Sequence, residues 1–205
     1  MKKTLLGTLL FSSMLATYTH AATTTELTKA QKDDLVFMYQ EEKVARDAYM
    51  TLGDIYNQKV FTNIQKSEQR HMDKVKGLLE AYDIPVPVIE DTVGVFENED
   101  LQALYDALVA QGEESLEEAL KVGVAIEETD IADLEEREVD APDDVVKVFD
   151  SLLKGSHNHL NAFNRQLDKL DDSAESTTDS VNDKKSTKSK KSKKNNKRRG
   201  HRHHR

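Results

Sequence analysis

The chain has 205 residues, no cysteine and no tryptophan, and carries 38 acidic against 29 basic side chains. Without cysteine there is no disulfide framework, no lipid-anchored N-terminal cysteine and no thiolate-held metal centre, so the fold must rest on its apolar core or on a metal held by other ligands. The charge is segregated: residues 184–205 hold 12 Lys or Arg and no acid, which leaves 17 bases against 38 acids before them, a formal −21.

The chain opens with Lys2 and Lys3, a mostly apolar run over 5–16, and the small-residue stretch Thr19-His20-Ala21. That order reads as a secretory leader over 1–21, too short for a membrane-spanning helix, and it predicts an exported protein, periplasmic or extracellular. The first helix is expected over about 29–57, behind a capping box of Thr28 and Gln31. A second is expected over about 63–82, with Thr62 and Gln65 as its box and Pro85 beyond its end. A connection of roughly thirty residues follows. Within it "ENEDLQALYDALVAQG" predicts a short helix, capped by Asn98 and stopped at Gly112. A third long helix is expected from the Ser115/Glu118 box to about 139. A fourth enters near Pro142, acceptable in a first turn, and ends near 170. From Asp171 onward the composition is Ser, Asp, Thr, Lys and Asn, which predicts a disordered tail over 171–205.

Short turns join the first two long helices and the last two, and one long connection joins the pairs. This predicts an all-α chain whose domain, 22–170, is a four-helix bundle of ferritin-like arrangement, with a long crossover carrying a short extra helix. Each long helix has a core stripe with bundle spacing. The stripes read Leu35, Met38, Glu42, Ala45, Tyr49, Leu52 on the first helix and Ile64, Glu68, His71, Val75, Leu78, Tyr82 on the second. On the third they read Leu116, Leu120, Gly123, Glu127, Asp130, Leu134. On the fourth they read Val145, Phe149, Leu152, Ser156, His159, Phe163, Leu167. Every stripe is interrupted near its middle by a metal-binding residue type. Buried charges are costly unless paired or metal-bound. Glu42, Glu68, His71, Glu127, Asp130 and His159 are therefore expected to converge at mid-height as ligands for one or two ions. Carboxylate and imidazole donors suit iron, manganese or zinc. Helical phase selects Glu42 and Glu127 over their neighbours Glu41 and Glu128.

The segments "YQEEKVARDAY", "VFTNIQKSEQRHMD", "LQALYDAL", "AIEETDIADLEE" and "SHNHLNAF" resemble a bacterial family of ferritin-like domains of unknown function, over roughly 33–167. The resemblance implies a Glu on the first helix, E-x-x-H on the second, and a Glu followed by another E-x-x-H on the third and fourth. Glu42, Glu68, His71, Glu127 and His159 then become the implied ligands of a di-iron site. One position departs from the pattern: the fourth helix carries Ser156 where the carboxylate is expected. Asp130, one turn beyond Glu127, resembles the additional third-helix carboxylate of the rubrerythrin branch and would stand in for it.

These readings predict an exported metal-binding protein, with iron as cofactor and oxidation of Fe(II) by oxygen or peroxide as its catalytic form. Two rivals stand beside it: a non-catalytic metal-binding protein of the envelope, and a matrix or adhesion module. In the last, the tail "KKSTKSKKSKKNNKRRGHRHHR" binds a polyanion such as acidic polysaccharide, anionic lipid or extracellular nucleic acid. A homodimer is a further expected partner.

Overall fold

The structure, a computed structural model, describes residues 26–88 and 92–196, with side chains described as far as Ser173. Residues 1–21, where the sequence predicts a leader, and the last residues of the basic tail lie outside the described residues. All regular structure among the described residues is helical, and no helix there is long and apolar enough to cross a membrane.

Helix α1 (Lys29–Tyr56) starts on the expected capping box: Thr28 Oγ1 accepts from the Gln31 amide at 3.2 Å and the Gln31 side chain accepts from the Thr28 amide at 2.9 Å. It ends at Asn57, which takes the left-handed conformation (φ 49°) that Asn tolerates. Helix α2 (Lys59–Ala81) begins at once, four residues before the expected start. Thr62 is not its cap: it lies inside the first turn and its hydroxyl donates back to the Lys59 carbonyl at 3.2 Å. Burying Phe61 and packing Val60 in the core draws the helix start back beyond the Thr62/Gln65 signal. Helix α3 (Glu99–Gly112) is capped by Asn98, whose Oδ1 accepts from the amides of Asp100 and Leu101. Helix α4 (Leu116–Arg137) is capped by Ser115, but the Glu118 carboxylate turns to Gln111 and Lys121 instead of closing a box. Helix α5 (Asp143–Asn196) runs on past Leu170, where the sequence reading ends it and begins a disordered tail. No glycine or proline lies between Gly155 and Gly200 to break it, and the segment is rich in lysine, a good helix former. Among the described side chains, its apolar packing reaches as far as Leu170.

Helix α1 pairs with α2 and α4 with α5; the hairpins meet along α1–α4 and α2–α5, and α3 lies against α1 and α4. Two apolar layers hold the four long helices. One contains Leu35, Met38, Val75, Leu134, Phe149 and Leu152. The other contains Tyr49, Leu52, Ile64, Leu120, Val122 and Phe163. On each long helix the core-stripe residues between these layers are polar: Glu42, Glu68 and His71, Glu127 and Asp130, Ser156 and His159. The order of the layers along each helix shows that α1 and α5 run one way and α2 and α4 the other. The crossover must therefore return the chain along the full bundle, which is the ferritin-like connection.

The crossover is held by a buried ion pair. Lys43 Nζ donates to Asp47 Oδ2 at 2.5 Å and to the Thr92 and Val95 carbonyls at 3.3 and 3.1 Å, and lies 4.1 Å from the centre of the Phe96 ring. Asp47 Oδ2 also accepts from the Gly94 amide at 3.0 Å, and Oδ1 from Arg46 Nε at 2.8 Å. Gly94 sits at φ +76° against the Tyr105 ring, where a Cβ would lie 2.6 Å from ring atoms. Removing one partner of a buried pair costs about 3–5 kcal/mol. Asp47→Ala is therefore expected to lower the unfolding free energy by about that much, seen as a lower urea midpoint. A loss below about 1 kcal/mol would contradict the pin, since that is the worth of a surface ion pair.

Candidate metal centre

Between the two apolar layers, Glu42, Glu68, His71, Glu127, Asp130, Ser156 and His159 are all buried. The antiparallel hairpins bring the mid-helix turns of α1, α2, α4 and α5 to one height, so the convergence follows from the stripes themselves.

Glu68 stands at the centre. Its Oε2 lies 2.8 Å from His71 Nδ1 and its Oε1 lies 2.8 Å from His159 Nδ1. Glu42 reaches His71 Nδ1 at 3.3 Å, and Glu127 reaches His159 Nδ1 at 3.4 Å. Two triads result, Glu42–Glu68–His71 and Glu68–Glu127–His159, each with donor atoms within 4.8 Å of one another, and Glu68 belongs to both. The imidazoles stack with centroids 5.5 Å apart. Neither Nδ1 makes an aligned hydrogen bond despite these short approaches, and Glu42 Oε1, Glu68 Oε1 and Asp130 Oδ1 are likewise buried without a hydrogen-bond partner. Donors placed about 2.0–2.2 Å from a common ion lie about 2.8–3.6 Å from each other in tetrahedral or octahedral sites. The four imidazole–carboxylate separations fall in that range, so the donor set fits a metal.

The surrounding contacts orient these ligands. Ser156 Oγ donates to Asp130 Oδ2 at 2.5 Å, which leaves Asp130 Oδ1 free. Tyr49, fully buried, donates to Glu127 Oε1 at 2.7 Å and packs on Phe163. Gly155 lets the α5 backbone approach His71: a Cβ there would lie 2.4 Å from Nε2.

The electrostatics are those of crowded carboxylates in a dry site. Burial, and then the charge of Asp130, push Glu42 well above the usual carboxylate range. Burial raises Glu127 to about 8 and Asp130 to about 7, in each case beyond what its hydrogen-bonded neighbours offset. Burial opposes ionisation of Glu68 too, but His159 and His71 outweigh it and bring Glu68 down to about 2. His159 is desolvated yet raised to about 10 by Glu127 and Glu68. Beside the centre, burial and the charges of Asp130 and Asp133 raise Glu41 to about 9.

All six residues expected to converge lie in this layer. Five form the triads, and Asp130 flanks them through Ser156. The phase choice is reproduced at Glu127, since Glu128 is exposed. At Glu42 the choice is also reproduced, but Glu41 is buried as well. Sequence reading missed Gly155, the Ser156–Asp130 bond and the buried run Glu41, Lys43, Arg46 and Asp47. A glycine one residue before an interrupted core stripe was the available sign of close helix approach.

Residues 31–185 match the family described as "Uncharacterized protein domain (DUF2202)". The uncharacterized protein MJ0754 of Methanocaldococcus jannaschii is 48% identical over 143 residues, covering 69% of this chain and 77% of that protein. The crystal structure of hypothetical protein MJ0754 superposes with a TM-score of 0.69 at 46% identity, covering 71% of this chain and 84% of the other. Bacterioferritin BfrA of Mycobacterium tuberculosis superposes with a TM-score of 0.54 at 13% identity, covering 72% and 90%, a likeness of fold alone. The fold is thus an all-α ferritin-like bundle, and its buried carboxylate and imidazole groups fit metal binding.

Two outcomes are expected. In chelator, stability should fall as pH rises from 5 to 8. Glu41, Glu127 and Asp130 keep protons in the folded state that the unfolded chain has released, so folding becomes less favourable with rising pH. The His159 contribution, complete below its unfolded value near 6.5, is lost in the same direction as pH climbs towards 10. Glu68 acts oppositely, but only below about pH 4.5. Urea unfolding across this range should show a slope reaching about 1.4 kcal/mol per pH unit for each group; a flat or rising profile would contradict it. Separately, Gly155→Ala should displace the His71 ring and lower bound metal by at least half. Unchanged metal content would show that the contact does not position His71.

Proposed function

This chain belongs to the DUF2202 family of uncharacterized domains, and from that membership and the geometry of its core we propose that it binds two transition ions, iron first among them, on either side of Glu68. The observation that carries this reading is the sharing of one buried carboxylate, oxygen by oxygen, between two carboxylate–imidazole triads. A carboxylate shared in this way is how paired metal sites hold their ions close together. His71 and His159 would hold the ions through Nδ1, with Glu42 and Glu127 completing each side. Asp130, oriented by Ser156, supplies the carboxylate that the α5 position lacks. Oxygen and nitrogen donors without thiolate suit iron and leave manganese and zinc as alternatives.

With iron bound, the centre would supply oxidation of further Fe(II), as substrate, by oxygen or peroxide. Within that chemistry Tyr49 holds Glu127 in orientation and places a phenolic proton on its Oε1. The apolar layers above and below exclude water from the ligands. We propose further that the leader sends the protein out of the cytoplasm and that the basic tail tethers it to a polyanion by salt-sensitive contacts. A non-catalytic metal store is the second reading, and Ser156 favours it: a carboxylate that reaches the layer from α4 instead of α5 makes the two positions unequal.

The test is metal content of the exported chain carrying His201→Ala, His203→Ala and His204→Ala, so that tail histidines do not contribute. About two irons per chain are expected, from two triads sharing one bridge. They should be lost in His71→Ala/Glu127→Ala, and Asp130→Asn should weaken the second ion selectively. Oxygen uptake on adding Fe(II) would identify the oxidase; stable binding without uptake would identify the store. Retention of metal in the double variant would overturn the site.

A further inference from the structure

A cavity of about 90 Å³ lies between α1 and α4, under α3. Its floor is formed by Glu42, Glu68, Glu127 and Asp130, four of the six candidate ligands. Its walls are apolar: Val44 and Ala45 from α1, Leu104 and Leu108 from α3, Ala125 and Ile126 from α4. Neither histidine lines it, because both imidazoles stand on α2 and α5, across the centre. The candidate metal centre is therefore approached from its carboxylate side. Val44 and Ala45 are buried deep in the cavity, whereas Leu104, Ala125 and Thr129 are exposed, which puts the mouth between α3 and α4.

We propose that this cavity binds a small uncharged organic molecule, of about four to six non-hydrogen atoms, with its apolar body against α3 and a polar atom towards the carboxylate floor. Size follows from the volume: the space is several times the roughly 10–15 Å³ that one water needs and smaller than the cavities of about 150 Å³ that hold benzene. Charge follows from the walls and floor. Apolar walls do not solvate a charged body, and the carboxyl floor offers an anion no cation to pair with. A cation is already provided for at the triads. The apolar character has a specific source in α3, which lays Leu104 and Leu108 over the gap between α1 and α4 without filling it. Interiors otherwise pack with few voids of this size, so an unfilled space with a mouth and a polar floor is the form of a ligand site. That this molecule is a reactant of the metal centre rests on the reading above; that it binds in the cavity does not.

The test uses the full chain with alanine and isoleucine methyl groups labelled for NMR, once in chelator and once loaded with Zn(II). Butan-1-ol is the probe and butyrate, in the chelated sample, its charged control. Saturable shifts are expected at Ala45 and Ile126 with butan-1-ol and none with butyrate. Ala125→Leu, at the exposed mouth, should weaken butan-1-ol at least tenfold while Zn(II) uptake is unchanged. Leu104→Ala, which removes part of the apolar wall, should also weaken butan-1-ol without changing Zn(II) uptake. Butan-1-ol shifts that do not saturate, or that survive Ala125→Leu undiminished, would overturn the proposal. Saturable binding in a chain that takes up no Zn(II) would support the cavity and overturn only the metal reading.

Discussion

The bundle is organised around the two oxygens of Glu68, each 2.8 Å from a different histidine nitrogen in a layer with almost no access to water. A carboxylate buried in this way is unfavourable by several kcal/mol unless opposite charge meets it. Here imidazoles from two different helices meet it, and further carboxylates crowd behind them. Such a layer is poorly satisfied by its own hydrogen bonds, as the unpartnered Nδ1 atoms and carboxylate oxygens show. Ions placed between the donors would satisfy all of them together. The same feature that makes the layer a burden to the metal-free fold thus fits it for metal binding.

The remainder of the structure serves to hold that layer. Apolar residues of all four long helices close it above and below, and the aromatic group Tyr49, Phe61 and Phe163 packs on one side. The second hairpin does not copy the first. Where α2 offers Glu68 three residues before His71, α5 offers Ser156 three residues before His159. The hydroxyl does not leave a gap: it grips Asp130 of α4, so a carboxylate reaches the layer from the neighbouring helix. The substitution moves the carboxylate's point of attachment and makes the two sides of the centre unequal.

Much of this was legible in the sequence because helical phase is a strict geometric rule. A residue four or three places from an apolar core residue, on a helix with a clear stripe, must share its face, and Glu42, Glu68, His71, Glu127, Asp130 and His159 all obeyed. What was not legible depends on surfaces that only the assembled chain creates. Lys43 and Asp47, off the core stripe of α1, become buried because the crossover folds over the outer side of that helix. Glu41 is buried on the α1–α4 side, beside Asp130, Asp133 and Arg137 of α4. Thr62 and Gln65 carried a good local capping signal, which the burial of Phe61 overrode. The end of α5 was misplaced because loss of apolar periodicity marks the end of packing, and a lysine-rich helix can continue beyond that point.

The most direct measurement is anomalous diffraction from crystals of the metal-loaded chain, recorded at the absorption edge of the bound metal. Two peaks are expected, one beside Glu42 and His71 and one beside Glu127 and His159, flanking Glu68 at about 3.5–4 Å from each other. Peaks confined to surface acids or to the tail histidines, with the buried layer empty, would contradict the claim that this bundle is built around a metal centre.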